Sequence, residues 1–141
     1  MMVAILVITH DQVGRVLVDT AVITLGFCPL ATAVLMVARN SDPDVLSRNA
    51  MQMAVSLDQG DGVLVLTDMY GSTPSNIACR LDNNRVRVVA GVNLPMLIRV
   101  FNYSYLSLDE LTNKAVSGGR DGIIYCRAPD DPPTSSAEDG P

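Results

Sequence analysis

The chain of 141 residues has few aromatic side chains and no cluster of basic ones. It contains no tryptophan, aromatic residues make up only 4% of it, and its net charge is −5. Proteins that bind nucleic acid or anionic membranes use clustered Lys and Arg, and single-stranded nucleic acid is also held by stacked aromatic rings. The composition therefore argues against both kinds of partner, and we expect no nucleic acid among the ligands.

Residues that bind metals or form disulfides are also scarce. Cys28, Cys79 and Cys126 lie far apart with no CxxC pair, and His10 is the only histidine. This spacing fits neither a disulfide framework nor a zinc site. We therefore expect buried, reduced thiols in a cytoplasmic protein, with no metal and no cofactor.

An uncharged stretch at residues 20–38 is about as long as a membrane span. Gly26 and Pro29 interrupt it, and a helix end, a turn and a buried strand are equally apolar. The first residues also lack the basic region and cleavage site of a secretory signal peptide. We therefore expect no membrane insertion and a cytoplasmic location.

Hydrophobic residues are abundant, at 48% of the chain, which fits one domain with a single core. Continuous apolar, β-branched runs predict buried strands, and apolar residues at helical spacing predict helices. Gly118-Gly119 predicts the end of the last helix. The predicted strands are 3–8, 32–38, 63–67, 86–90 and 123–126, and the predicted helices are 12–25, from 43, 74 to about 81, from 95 and from 107.

This alternation predicts an α/β domain at residues 1–127, followed by a disordered acidic tail at 128–141 that is rich in Pro, Asp and Ser. The expected architecture is a doubly wound, mainly parallel, flavodoxin-like sheet flanked by helices. Ligands bind such sheets beyond the carboxyl ends of the strands, where the winding reverses. The first and third strands meet at this place, so we expect His10 and Asp68 to lie together.

The residue types at this place fit phosphoryl transfer. A phosphoryl carrier needs a nucleophile that is uncharged near neutral pH, and an imidazole has an unperturbed pKa of ~6.5. It needs a partner such as Asp68 that fixes which ring nitrogen of His10 holds the proton. The loop at residues 70–74 offers donors for the phosphoryl oxygens: its glycine lets the backbone come close to the group, and it supplies two hydroxyls and the free N–H groups of a helix start.

The same residues also have other interpretations. A single histidine at a strand end is compatible with a capping role, Asp68 with a turn, and Ser72-Thr73-Pro74 with a helix cap. The alternative function is a non-catalytic flavodoxin-like module that binds a nucleotide or phosphate, although a Walker lysine motif and GxGxxG are absent. A receiver-like domain needs an acidic cluster for Mg²⁺ after the first strand, where Thr9-His10 stands instead.

Three segments carry a family resemblance: AILVITH at 4–10, GVLVLTDMYGSTPSN at 62–76 and AGVNLPML at 90–97. They resemble the IIA component of the mannose (mannose/fructose/sorbose) family of the bacterial phosphoenolpyruvate-dependent phosphotransferase system. The resemblance covers residues 3–125. Nothing in the chain resembles a fused IIB domain.

The resemblance implies a phosphocarrier that works through a phosphohistidine. It implies that His10 is phosphorylated, that Asp68 orients it, and that Thr67, Gly71 and Ser72 help to line the phosphoryl pocket. An HPr-type phosphocarrier protein is the implied donor, and a IIB component or a regulatory target is the implied acceptor. Sugar uptake and regulation both remain open as biological roles.

The resemblance also implies a homodimer in which the last strand, residues 123–126, is exchanged between subunits across a glycine-rich hinge at 118–122. Two positions depart from the family pattern. Ser72 follows Gly71 where the family often has a second glycine, and Asp11 follows His10 where the family often has glycine. We expect these departures to alter the pocket and the phosphoryl transfer potential.

Overall fold

The computed structural model describes residues 2–129. Strands and helices alternate through most of this range, and each element over the first 121 residues begins within two residues of its predicted start. The predicted α/β order is therefore confirmed. The strands are β1 Ala4–His10, β2 Thr32–Val37, β3 Val63–Thr67 and β4 Val86–Ala90, and the helices are α1 Val13–Leu25, α2 Pro43–Leu57, α3 Thr73–Cys79, α4 Leu94–Asn102 and α5 Leu108–Asp121.

The four strands form one sheet in the order β2-β1-β3-β4, and every pairing in it is parallel. His10 lies opposite Val37 of β2, and Ile8 lies opposite Thr67 of β3. The chain winds outward from β1 in both directions, so the winding reverses between β1 and β3. This confirms the doubly wound, flavodoxin-like sheet.

Helices cover both faces of the sheet, because alternate residues of a strand point to opposite sides. Ile5 and Val7 pack into a cluster with α1, α4 and α5, whereas Ala4, Leu6 and Ile8 pack into a second cluster with α2 and α3. All five of these β1 side chains are fully buried. Continuing the alternation places His10 on the face covered by α2 and α3.

Two helix starts have the capping residues that the sequence indicates. The Asp42 side chain accepts a hydrogen bond from the Asp44 N–H at 2.9 Å, and Pro43 is the first residue of α2. Ser107 and Glu110 form a reciprocal capping box at α5, since each side chain accepts a hydrogen bond from the other residue's backbone N–H. The starts of α2 and α5 are therefore set locally.

The predicted end of the last helix at Gly118-Gly119 is wrong, because α5 continues to Asp121. A Cβ on Gly118 would lie 2.7 Å from the Cβ of Arg99, and one on Gly119 would lie 2.9 Å from the Cε of Met96. The two glycines let α5 pack closely on α4, and this contact outweighs their low helix propensity of about 1 kcal/mol each. The predicted hinge at 118–122 is therefore almost entirely helical.

The segment after α5 does not add a strand to this chain's own sheet. Residues 123–128 have no regular secondary structure, and the side chains of Ile123, Ile124 and Tyr125 are 78%, 72% and 91% exposed. Exchange of this segment with a second copy stays a prediction. The predicted tail lies outside the described residues from position 130 onward.

The cysteines are unpaired, but the prediction that they are buried is wrong, since all three are exposed. Cys28 lies in the loop after α1, Cys79 ends α3, and Cys126 follows α5. None of them therefore lies on an inner face of the sheet or of its helices. The uncharged stretch at residues 20–38 is divided between α1, a loop and β2, and no helix in the described part of the chain has the length and hydropathy needed to cross a membrane.

Candidate functional site

The carboxyl ends of β1 and β3 bring His10 and Asp68 into contact. His10 is the last residue of β1, and Asp68 directly follows β3. Nδ1 of the imidazole lies 2.9 Å from Oδ2 of Asp68, and the His10 backbone N–H donates to the same oxygen at 3.0 Å. Two hydrogen bonds to one oxygen hold the imidazole in a defined position.

This contact distinguishes the two ring nitrogens of His10. An ionised carboxylate only accepts hydrogen bonds, so Oδ2 of Asp68 favours the tautomer with its proton on Nδ1. Nε2 then presents its lone pair away from Asp68. The His10 side chain is 46% exposed, whereas that of Asp68 is 16% exposed, so a macromolecular partner can reach the imidazole while the carboxylate stays shielded.

Three N–H groups keep Asp68 ionised. Partial burial raises the pKa of Asp68, but hydrogen bonds from the His10 backbone, the His10 ring and the Met69 backbone outweigh burial and hold this pKa below its ordinary value. The Met69 N–H donates to Oδ1 at 2.9 Å. Asp68 is therefore a stable acceptor at neutral pH.

The turn after β1 fixes the end of the strand, and sequence reasoning missed the roles of Thr9 and Gly14 in it. Thr9 is fully buried, and its Oγ1 accepts a hydrogen bond from the Gly14 N–H at 2.7 Å. A Cβ on Gly14 would lie 2.8 Å from that oxygen, so a larger residue there displaces the turn. Asp11 has a φ of 42°, a left-handed conformation in which glycine is the usual residue and Asp is tolerated better than most.

The loop between β3 and α3 contains Gly71 and Ser72, which were predicted to bind a phosphoryl group. Gly71 has a φ of 87°, and its N–H donates to Oγ of Ser75 at 3.3 Å. The Ser72 hydroxyl donates to the Met69 carbonyl at 2.6 Å and accepts from the Ser75 N–H at 3.5 Å. The Gly71 N–H and the Ser72 hydroxyl are therefore both engaged in hydrogen bonds within the loop.

Thr67, the third predicted phosphoryl-binding residue, is fully buried at the end of β3. Its Oγ1 has no hydrogen-bond partner among the described residues. Alternation along β3 places Thr67 on the same face as Val63 and Val65, which is also the face of His10. An unpaired buried hydroxyl costs roughly 1–3 kcal/mol, and this one lies below the surface, out of contact with solvent.

An open cavity of about 480 Å³ lies in front of His10, between the ends of β1 and β2 and the starts of α2 and α3. Arg39 and Ser41 line it, and sequence reasoning missed both. The sheet order could have indicated both residues, because β2 pairs with β1 and the two parallel strands end at the same edge of the sheet. Thr67, Gly71 and Ser72 do not line the cavity, whose wall consists of His10, Asp11, Val37, Ala38, Arg39, Ser41, Pro43, Thr73 and Pro74.

Metal ions are bound by groupings of side chains such as His, Cys, Asp and Glu. No group of three His, Cys, Asp or Glu residues in the described range 2–129 is placed to hold a metal ion. The geometry of the site is that of one oriented, half-exposed imidazole with an ionised carboxylate at Nδ1.

Curated relatives of the chain are components of the phosphotransferase system, or PTS. The mannose-specific EIIAB component of the PTS from Escherichia coli K12 is 33% identical over 132 residues, which are 91% of this chain and 41% of that protein. The fructose-specific EIIA component from Bacillus subtilis 168 is 34% identical over 67 residues, covering 45% of this chain and 46% of that protein. The chain thus spans less than half of either relative.

Solved structures share the fold. The mannose/sorbose specific IIA subunit from Enterococcus faecalis superposes with a TM-score of 0.82 at 21% identity, covering 94% of this chain and 100% of that one. A phosphotransferase system component EIIA from Streptococcus agalactiae superposes with a TM-score of 0.76 at 19% identity, covering 88% and 97%.

A family model extends the similarity across the sheet and its helices. The EIIA-man model, described as the PTS system fructose IIA component, matches residues 4–116. The match begins at the first residue of β1 and ends within α5, and so contains both His10 and Asp68. The chain therefore belongs to the EIIA-man family of IIA components of the phosphotransferase system.

Proposed function

We propose that this chain is a cytoplasmic phosphocarrier that accepts a phosphoryl group on His10 from an HPr-type carrier protein and donates it to a IIB component or a regulatory target. The observation that carries the proposal is the 2.9 Å contact between Nδ1 of His10 and Oδ2 of Asp68 in a member of the EIIA-man family. It leaves Nε2 as the nucleophilic atom.

In the proposed transfer, the lone pair of Nε2 attacks the phosphorus of the donor's phosphohistidine. The Nε2–P bond forms as the donor's N–P bond breaks, and the donor ring keeps the electron pair of the broken bond. Nδ1 of His10 retains its proton throughout. The ring gains positive character as the new bond forms, and the ionised carboxylate of Asp68 stabilises that charge. Donation to the acceptor is the reverse displacement.

The proposed phosphoryl-binding residues are Thr67, Gly71 and Ser72. The unpaired hydroxyl of Thr67 supports this role, because a donor without a partner gains a full hydrogen bond from a bound oxygen. Thr67 is fully buried and does not line the cavity in front of His10, so this bond requires the loop after β3 to move. Gly71 and Ser72 each exchange a loop hydrogen bond to take part, since their groups contact Ser75 and Met69 in the resting chain.

The proposal includes a homodimer formed through residues 123–126. β4 is an edge strand of the sheet, and a second cavity of about 480 Å³ runs beside it, lined by Val88, Ala90 and Ile123 among others. Exposed strand edges and exposed apolar segments both favour association. A segment exchanged between two copies covers both features. Truncation after Gly122 should convert a dimer into a monomer or an aggregate, as measured by light scattering.

The function is tested by incubating the chain with phosphoenolpyruvate, enzyme I and HPr, and mapping acid-labile phosphate. We expect one phosphoryl group on His10, and none on His10→Ala with unchanged far-ultraviolet circular dichroism. Undiminished labelling of His10→Ala contradicts the assignment. Reversible binding of phosphate without a covalent label in the wild-type chain indicates the non-catalytic binding module instead.

A further inference from the structure

The cavity in front of His10 contains an arginine that belongs to none of the motifs in the sequence. His10 pairs with Val37 in the register of β1 and β2, and neighbouring strands lie about 4.8 Å apart. Arg39 follows Val37 by two residues and lines the same cavity as His10. The sheet order therefore places Arg39 and His10 in the wall of the same cavity.

The side chain of Arg39 has no hydrogen-bond or ion-pair partner in the described part of the chain. Arg85, Arg87 and Arg99 each form an ion pair with an aspartate. Arg39, by contrast, forms no hydrogen bond or ion pair with any residue of the range 2–129. Its guanidinium is thus an available cation with a planar set of donors, which matches the oxygens of a phosphoryl group.

The negative charges near His10 would repel a phosphoryl group, and a nearby cation would reduce this repulsion. A phosphoryl group on Nε2 carries up to two negative charges, and two carboxylates stand near it. Asp68 is bound to the same imidazole, and Asp11 lines the cavity. Like charges at these separations disfavour the phosphorylated state. Arg39 is the only described residue lining the cavity whose side chain is always positive.

We propose that the guanidinium of Arg39 binds the phosphoryl oxygens while the group is bonded to Nε2 of His10, which makes Arg39 a phosphoryl-binding residue of the transfer step. The inference rests on the proposed function of His10. Arg39 makes and breaks no covalent bond, and its contribution is to offset the negative charge that Asp11 and Asp68 place around the phosphoryl group.

The test compares Arg39→Gln, Arg39→Lys and the control Arg48→Gln, which changes an exposed arginine of α2 that does not line the cavity. With limiting phospho-HPr, we expect phosphorylation of Arg39→Gln to be slower by about tenfold or more, because a charge-assisted hydrogen bond is lost. Arg39→Lys should fall in between, since lysine keeps the charge without the planar fork. Arg48→Gln should match the wild type.

A second measurement distinguishes phosphoryl binding from docking of the donor protein. The phosphorus-31 resonance of each phosphorylated chain is followed against pH, which reports the pKa of the phosphoryl group itself. A bound guanidinium stabilises the dianion, so we expect this pKa to be higher in Arg39→Gln than in the wild type and unchanged in Arg48→Gln.

The possible outcomes distinguish the role of Arg39 from the phosphorylation of His10 on which it rests. A wild-type chain that takes no label on His10 overturns the proposed function and this inference with it. A labelled wild type with the same rate and the same phosphoryl pKa in Arg39→Gln overturns this inference alone. A slower rate with an unchanged phosphoryl pKa also overturns it, and assigns Arg39 to the binding of the donor protein instead.

Discussion

Two aspartates, at opposite ends of the parallel sheet, each accept several hydrogen bonds but have different partners. At the carboxyl end, Asp68 binds the imidazole of His10 and two backbone N–H groups. At the amino end, Asp58 binds the guanidinium of Arg85 through Nε at 3.0 Å and Nη2 at 2.8 Å, together with the backbone N–H groups of Gly60 and Gly62.

The partner decides what each carboxylate can do. The two-point hydrogen bond from Arg85, followed by that from the Gly60 N–H, lowers the pKa of Asp58 to about 2. A guanidinium is always charged and has no lone pair to offer, so this pair only fastens the start of β4 to the loop before β3. An imidazole keeps one nitrogen free after binding a carboxylate. Similar acceptor chemistry thus gives a structural ion pair at one end and, at the other, the pair that we propose as the reactive site.

The largest expected effect comes from breaking the reactive pair. In Asp68→Asn the side chain keeps its shape, but it is a weaker acceptor and carries no charge to stabilise the phosphorylated ring. We expect single-turnover transfer from phospho-HPr to slow by roughly 10²–10⁴-fold, in the range found for acid–base partners. The matched change Asp58→Asn should leave this rate unchanged. Wild-type transfer by Asp68→Asn contradicts the orienting role of Asp68.

The structural pair should respond in the opposite way. Asp58→Asn loses the charge that faces Arg85, whose side chain is 48% exposed, so solvent weakens the pair. We expect a loss of stability on the order of 1 kcal/mol, seen as a lower urea midpoint with full phosphoryl acceptance. A variant that keeps its stability but loses phosphoryl transfer contradicts the separation between the two ends.

Acid should weaken the Asp58–Arg85 ion pair in a defined pH range. The folded-state pKa of Asp58 lies below its ordinary value of 3.8, at about 2, so the unfolded chain binds more protons in this interval. The stabilisation from Asp58 is therefore present above pH 3.8 and is lost as the pH falls towards about 2. Between about pH 5 and about pH 3, the urea midpoint should decrease less in Asp58→Asn than in the wild type. An equal fall in both chains contradicts the assignment.

The smallest expected effect concerns Asp11, which has a left-handed backbone beside the reactive pair. Asp11→Asn keeps a residue that tolerates this conformation and removes only the charge. An exposed charge pair at close range is worth about 1 kcal/mol in water, so we expect phosphorylation of His10 to become up to about fivefold faster. Asp19→Asn on α1 provides the control. Slower transfer in Asp11→Asn indicates that the carboxylate assists the reaction.

Local patterns predicted the four strands of the sheet, the starts of all five helices and the meeting of His10 with Asp68, because apolar periodicity and the parallel sheet order determine these features. They also predicted a strand at residues 123–126, which this chain's own sheet does not contain. Features that depend on tertiary contacts were missed. Gly118 and Gly119 lie within a helix because α4 packs against them. The Asp58–Arg85 pair joins residues 27 positions apart, and Arg39 reaches the cavity through strand order. The exposed cysteines show that residue type alone is a weak guide to burial.

In the proposed function, Asp68 holds the proton on Nδ1 of His10 and directs phosphorylation to Nε2. Nitrogen-15 NMR of the chain labelled at the histidine ring, phosphorylated by phosphoenolpyruvate, enzyme I and HPr, tests it directly. We expect phosphorus coupling to Nε2 and a proton on Nδ1 within hydrogen-bonding distance of Asp68. Phosphorus bonded to Nδ1, or a phosphoryl group found on a residue other than His10, would contradict it.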